Sequence, residues 1–323
     1  MQGSPGKPTR TSARRRLGAV ASKLATAAGL IVFALTAMSA PASATSAPAG
    51  LPDSLSCLSA DGDLPPTPYG RGQISDWGHV EQVAGWLRYS PPRRGVVYLV
   101  GGSATRESVT SETDWAAQLG RLTGRPATTF VCATSCQTFV EDALIVKDLP
   151  KDRGTVLLSV GNSRFIMLHK PASLPQHSVR RTPPPPWYQH HYDTRTSLPY
   201  KEKRRLVAAW VDVSYPVFLE RYQDRLTELA AAIDACQAQG LRVALLDMPL
   251  NLPVIGHDFD DALATYRKGC QDLADQQEIQ YLEFGSSAGL KGTDFYDLQH
   301  LLPAGRAKWQ RRLSLELLHK HLI

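Results

Sequence analysis

Val96-Val97-Tyr98-Leu99-Val100-Gly101-Gly102-Ser103-Ala104-Thr105-Arg106-Glu107 is the stretch on which the reading of this chain turns. A strand with one wet face alternates apolar and polar residues. A continuous apolar run of strand length instead describes a strand covered on both faces. Two glycines then let the chain turn sharply, and Ser103 falls where a helix can begin. Similar short apolar runs recur at 127–132, 155–160, 241–247 and 279–284, giving five expected strands. Helical patterns stand between or beside them at 76–90, 112–122, 137–147, 204–239, 260–276 and 303–319. Pro216 should break the fourth of these helices, Gly240 should end it, and Pro303 suits the first turn of the last. Alternating strands and helices predict an α/β fold, a three-layer α/β/α sandwich around a five-stranded parallel sheet. Ligands of such sheets bind at the carboxyl ends of the strands. The strand ends are therefore where chemistry is sought.

Composition narrows the classes. The chain has 323 residues, 43% hydrophobic and 20% charged, enough to fold and too mixed for a polytopic membrane protein. Its formal charge of +6 is local. Residues 1–44 hold six Lys/Arg and no Asp or Glu, and the rest carries 30 of each sign. A formally neutral body argues against nucleic acid as a partner, because phosphate binding needs concentrated positive charge. Residues 1–44 read as a secretory signal peptide: a cationic region to Lys23, an apolar run of about fifteen residues, and small residues at Ala42-Ser43-Ala44. The run is short for a membrane span, so a membrane partner is expected only if this segment stays uncleaved. The expected location is secreted or cell-envelope associated. Residues 45–90 are expected to form a linker and N-terminal extension, and 91–323 the folded domain, with a Pro-rich insertion at 170–203.

Five cysteines, Cys57, Cys132, Cys136, Cys236 and Cys270, leave at least one without an intramolecular partner. Cys236 and Cys270 flank one strand and are the favoured pair. Cys132 and Cys136 are near enough for a small loop, and any of the five could be a buried thiol. Residues 170–203 interrupt the αβ rhythm with a Pro183–Pro186 run and the aromatic residues Trp187, Tyr188 and Tyr192. Such an insertion reads as a lid or binding loop. Its aromatic residues could stack on sugar rings or anchor the loop. His177, His190 and His191 lack a fixed ligand geometry, so no metal is expected there. No Walker or dinucleotide motif occurs, and no cofactor is expected.

Three strand-end segments carry possible chemistry. The first is Gly102-Ser103. The second is Val160-Gly161-Asn162-Ser163-Arg164, whose polar side chains could donate into the same cleft. The third is Asp297-Leu298-Gln299-His300 near the C-terminus. In a turn of helical curvature the three-residue spacing puts Asp297 and His300 on one face. A carboxylate beside an imidazole fixes its tautomer and raises its basicity, as activation of a serine requires. Gly285-Ser286-Ser287-Ala288-Gly289 matches the Gly-x-Ser-x-Gly elbow, but no helix follows it and His300 stands too soon after.

Together these segments resemble the SGNH/GDSL hydrolase family over roughly residues 95–320, most closely a divergent polysaccharide O-acetylation branch of the alginate-acetylation type. The resemblance implies a flavodoxin-like sandwich with Ser103 as nucleophile, His300 as base and Asp297 as orienting carboxylate. It implies an oxyanion hole from the Ser103 N–H, Ser135, and Asn162 or Ser163. The sequence departs from the family where Gly102 replaces the usual Asp, and where Ser163 and Arg164 replace the usual Asn-Asp pair. Arg106 and Arg164 could bind substrate or pair with nearby acids. Asp247, at a strand end, is expected to be structural. The function expected is an exported serine esterase removing a small acyl group, acetyl, from a cell-envelope or extracellular glycan. The alternatives are an O-acyltransferase on a glycan and a catalytically silent glycan-binding protein.

Overall fold

The computed structural model describes residues 76–92, 95–167, 180–187, 190 and 192–323. Residues 1–75, which include the expected signal peptide and Cys57, lie outside the described residues, as do His177, Tyr188 and His191. Five strands form: β1 (Val96–Gly101), β2 (Thr128–Ala133), β3 (Thr155–Val160), β4 (Arg242–Asp247) and β5 (Gln280–Leu282). They make one sheet in the order β2-β1-β3-β4-β5, every pair parallel. Residues of β1 and β3 are buried throughout, as continuous apolar runs require.

Alternation across the pleat divides the core in two. Val96, Tyr98 and Val100 face one side together with Val156, Leu158, Val243 and Leu245. There they meet helices α1 (Asp76–Tyr89), α4 (Phe139–Lys147), α6 (Tyr215–Ala238) and α8 (Asp260–Gln276) through Val83, Phe139, Phe218 and Tyr266. Val97, Leu99, Leu157 and Leu246 face the other side, against Trp115 of α3 (Glu112–Thr123) and Trp309 of α9 (Pro303–His319). The result is the expected three-layer α/β/α sandwich. Two one-turn helices stand beside these, α2 (Ser103–Arg106) and α7 (Leu252–Ile255).

Local chemistry sets the helix ends. Ser111 accepts the Asp114 N–H at the start of α3, and Thr138 with Glu141 forms a capping box on α4. The expected break at Pro216 takes another form. Helix α5 (Tyr200–Ala209) begins earlier than expected and runs through a π turn, Trp210–Ser214, directly into α6. Proline at 216 cannot donate to residue 212 and its ring crowds that carbonyl. The wider turn, closed by the Tyr215 N–H on the Trp210 carbonyl, absorbs the misfit without breaking the helix. Gly240, at φ +67°, follows the end of α6 as expected.

The cysteines differ from expectation. Cys236 and Cys270 are both free, buried thiols, so they do not pair, and Cys132 is free as well. Cys136 is disulfide-bonded, to none of these three. The two helix cysteines sit in the apolar layer under β4, where burial pushes both thiols up from their ordinary range. Among the described residues no helix is long and apolar enough to cross a membrane.

Candidate active site

Strand order fixes where a cleft opens. From β1 the chain passes outward to β2, then returns to β3 on the opposite side of β1. The crossovers diverge between β1 and β3, leaving a crevice at their carboxyl ends. The residues after β1 and after β3 line it: Gly102, Ser103, Gly161, Asn162 and Ser163, with Met248 from beyond β4 and Gln299 from the C-terminal loop.

Gly101 permits the turn at the end of β1. A Cβ there would stand 1.8 Å from Ser159 Oγ and 2.5 Å from Thr105 Oγ1, so only glycine lets β1 and β3 stay this close. Ser103 then opens α2, whose first turn closes when Thr105 and Arg106 donate to the Gly102 carbonyl. The opening N–H groups of a helical turn have no intrahelical acceptor. The Ser103 N–H is therefore a donor at the mouth of the crevice.

The Asp297–His300 pair comes from a different local structure than the expected helical turn. Phe295 and Leu301 form an antiparallel bridge, and Tyr296 donates to the His300 carbonyl at 2.8 Å. The loop so pinched is held from within by Asp297, whose Oδ1 accepts the Gln299 and His300 N–H groups, each at 2.9 Å. The other carboxylate oxygen, Oδ2, lies 2.7 Å from His300 Nδ1. This orients the ring so that Nε2 stands 2.9 Å from Ser103 Oγ. The network assigns the proton to Nδ1, leaving Nε2 as acceptor of the serine hydroxyl. Both Asp297 and His300 are buried. Burial alone would push the Asp297 carboxyl up. The facing imidazole and the bonds donated by His300 and Gln299 outweigh it and hold the carboxyl below its ordinary range.

Three further residues secure this loop, and none was singled out for that role in the sequence. Asn251, wholly buried, donates its side-chain amide to the Asp297 carbonyl at 2.9 Å and its backbone N–H to the Leu298 carbonyl at 2.9 Å. Lys203 of α5, also buried, donates to the carbonyls of Gly292 at 2.7 Å and Phe295 at 2.9 Å and to Ser197 Oγ at 2.7 Å. Tyr192 stacks its ring on Tyr296 at 4.3 Å and lies 4.9 Å from the His300 ring. Lys203 and Tyr192 belong to the stretch read as an insertion, so that stretch shapes the histidine loop. A Lys at the start of a helix and an Asn after a strand carry no local signal of such roles.

The remaining sequence candidates are placed as follows. Asn162 is buried and Ser163 part-exposed, and both line the crevice with Ser103. Among the described residues neither side chain has a protein hydrogen-bond partner, so both can donate to a ligand. Ser135 does not line this crevice; its hydroxyl accepts from Arg106 Nη1 at 3.1 Å. Arg106 is buried and pairs with Glu107 at 3.1 Å. Arg164 borders the crevice, but its guanidinium is held by Asp142 at 2.6 Å and stacked 4.5 Å over the Phe139 ring. Trp187 is buried in the layer with α3 and donates its backbone N–H to Glu112 at 2.8 Å, outside the crevice. His190 Nε2 meets the Thr110 carbonyl at 2.9 Å and Nδ1 faces Glu107 at 3.2 Å. Asp247 accepts from Tyr266 Oη and pairs with Arg267, and burial pushes its carboxyl up to about 6 against the pull of Arg267. Ser287 donates its hydroxyl to the Phe284 carbonyl of its own loop.

Fold and site together define a class: a doubly wound α/β protein with a Ser–His–Asp hydrogen-bonded chain at the switch point of its sheet. No family model and no curated protein matches the chain. Among solved structures it is similar to a lipase/acylhydrolase of Enterococcus faecalis, at 11% identity over 71% of this chain and 97% of that one, TM-score 0.40. It is similar to a GDSL-like lipase of Bacteroides thetaiotaomicron, at 11% identity over 74% and 100%, TM-score 0.38. A third is a catalytic mutant of Axe2, an acetylxylan esterase of Geobacillus stearothermophilus, at 10% identity over 69% and 94%, TM-score 0.42. Likeness this distant says nothing about chemistry, which rests on the geometry above.

Proposed function

We propose that this chain is a serine ester hydrolase acting on an acylated glycan outside the cytoplasm. The observation that carries the chemistry is the continuous chain from Ser103 Oγ to His300 Nε2 at 2.9 Å and from His300 Nδ1 to Asp297 at 2.7 Å. Ser103 Oγ attacks the ester carbonyl and passes its proton to His300 Nε2. The carbonyl oxygen takes the negative charge, stabilised by the Ser103 N–H and the Asn162 amide, with Ser163 beside them. Collapse breaks the ester bond; the alcohol leaves with the proton from His300, and the acyl group stays on Ser103. Water then attacks, giving its proton to His300, and the acid departs as Oγ takes the proton back. Asp297 stays ionised throughout and steadies the imidazolium. The glycan and the exported location are supported by the sequence alone, through the family resemblance and the character of residues 1–44. The same acyl-serine would serve transfer if a sugar hydroxyl replaced water.

The test is turnover of p-nitrophenyl acetate by the purified protein and by Ser103→Ala, with a fluorophosphonate label mapped by peptide mass. Label on Ser103 and a rate loss of about a thousandfold or more in the variant are expected. Equal rates in the two proteins would remove the proposal.

A further inference from the structure

Tyr192 comes from the Pro-rich insertion, yet it is buried beside His300. The two ring centroids lie 4.9 Å apart, with the planes tilted by 42°. The same tyrosine ring stacks on Tyr296 at 4.3 Å. Arg195, which is exposed, steadies Tyr296 in turn: its guanidinium lies 5.6 Å from that ring and its Nη1 donates to Tyr296 Oη at 3.1 Å. The residues that follow Tyr192 are tied down as well. Asp193 pairs with Arg306, and Ser197 and Leu198 donate to the carbonyls of Phe295 and Tyr296 at 2.8 and 2.9 Å. Burial pushes the Tyr192 hydroxyl up from its ordinary range, so the ring is that of a neutral phenol.

We infer that the π face of Tyr192 stabilises the His300 imidazolium that forms as Ser103 gives up its proton, which makes Tyr192 a positioning residue acting through His300. The inference rests on the serine esterase reading and deepens it. His300 is buried, so bulk water does not solvate the cation. Both ring nitrogens are already engaged in the plane of the imidazole, Nδ1 by Asp297 at 2.7 Å and Nε2 by Ser103 at 2.9 Å. Further stabilisation is left to groups above and below that plane. A carboxylate or carbonyl there would compete with the serine for the imidazole protons. An aromatic face within about 6 Å attracts a cation through its quadrupole and takes no proton. The neutral imidazole gains little from it, so the attraction grows as the charge develops in the transition state. An aliphatic side chain in the same place would exclude water and give nothing back.

The test replaces Tyr192 by Phe, and then by phenylalanine bearing one, two and three ring fluorines, which keep the shape of the ring and drain its quadrupole. With p-nitrophenyl acetate as substrate, Tyr192→Phe should stay within about threefold of wild type. The trifluorinated ring and Tyr192→Leu should each lower kcat and kcat/KM together by about tenfold at unchanged KM. A role in loop packing alone would not follow the fluorine count. A second readout needs no turnover: the proton affinity of the His300 ring in Ser103→Ala, followed by NMR, should fall about tenfold across the same series. Asp297, Glu107, Arg106 and Tyr296, which act electrostatically on Tyr192, are the same in every member. Rates or affinities that stay flat across the fluorine series, or rise with it because the ring edge faces His300, overturn the inference and leave the esterase reading standing. Tyr192→Phe as slow as Tyr192→Leu also overturns it, since the hydroxyl would then be the part that acts. If Ser103→Ala turns the ester over as fast as wild type, yet the proton affinity follows the fluorine count, the ring contact stands and the esterase reading falls.

Discussion

Replacing Glu107 by Gln tests whether a buried charge cluster holds the nucleophile turn to the histidine side of the cleft. Glu107 follows α2 and is wholly buried. Arg106 pairs with it at 3.1 Å, Arg306 of α9 at 3.0 Å, and His190 faces it at 3.2 Å. Arg306 also donates to the Leu301 carbonyl, one residue beyond His300, and pairs with Asp193. Burial pushes the Glu107 carboxyl up, but the bond from His190 and the two guanidinium groups more than reverse this, bringing it from 4.5 to about 2. A carboxyl held low in the fold adds stability above its unfolded pKa, and that stability disappears as pH falls through the folded value. At about 1.4 kcal/mol per pH unit, the contribution at pH 7 is about 3 kcal/mol, in line with the cost of stripping a partner from a buried ion pair. Glu107→Gln should therefore lower the urea-unfolding free energy by about 3 kcal/mol at pH 7. The gap to wild type should narrow below pH 4.5 and nearly close toward pH 2. Asp142, Glu141 and Asp247 are shifted upward by burial and respond in the opposite sense, so only the difference between the two proteins isolates Glu107. A gap that is constant from pH 7 to pH 3, or below about 1 kcal/mol throughout, refutes the reasoning.

Three other substitutions follow from the same geometry. Lys203→Met keeps the stem but removes the charged donor from the Gly292 and Phe295 carbonyls, leaving them only Asn251 and Ser197. It should cost about 2–4 kcal/mol in thermal or urea unfolding, with ester turnover reduced more in kcat than in KM, and Lys203→Arg should restore part of both. Gly101→Ala drives a methyl into Ser159 Oγ and should cost about 1–3 kcal/mol. The double variant with Ser159→Ala should recover part of that loss, because Thr105 Oγ1 at 2.5 Å and Arg164 Nη1 at 2.8 Å still crowd the methyl, and no recovery would show that these two contacts dominate. Asp297→Asn preserves the loop bonds accepted by Oδ1 but presents an amide that can turn its donor face to His300 Nδ1. It should lower kcat by about a thousandfold or more and also lower the unfolding midpoint at neutral pH, since the fold stabilises the Asp297 carboxylate.

The sheet was legible in the sequence because its central strands are buried on both faces, which forces short uninterrupted apolar runs such as 96–100 and 155–160. Ser103 was legible for a related reason, since polar residues directly after such runs must face the crevice or be capped, and the Asp297–His300 pair because a carboxylate three residues from an imidazole can orient it. The loop that carries Asp297 was legible only in outcome. Its three-residue spacing was read as helical curvature, whereas the strand-like bridge of Phe295 with Leu301 produces the same approach. The disulfide pattern was not legible, because thiols in the apolar layer look in sequence like any other pair flanking a strand.

The side-chain roles that escaped sequence reading share one physical origin, the burial of charge by partners far along the chain. Arg164 finds Asp142 twenty-two residues before it, and Arg106 meets a carboxylate that Arg306 reaches from 199 residues away. A cation after a strand looks the same in sequence whether it faces a ligand or an internal acid. The cost of leaving it unpaired decides which, and that cost is known only when the third dimension supplies the acid. Lys203 makes the point most sharply. An ammonium this buried is tolerable because two backbone carbonyls and a hydroxyl converge on it, and the two carbonyls, of Gly292 and Phe295, belong to the segment that aims His300 at Ser103. The charge that burial would otherwise expel is thereby tied to the one loop whose position the proposed chemistry cannot do without. Activity in Lys203 variants should therefore track how many of the three contacts the new side chain can still make, with Arg above Gln and Gln above Met.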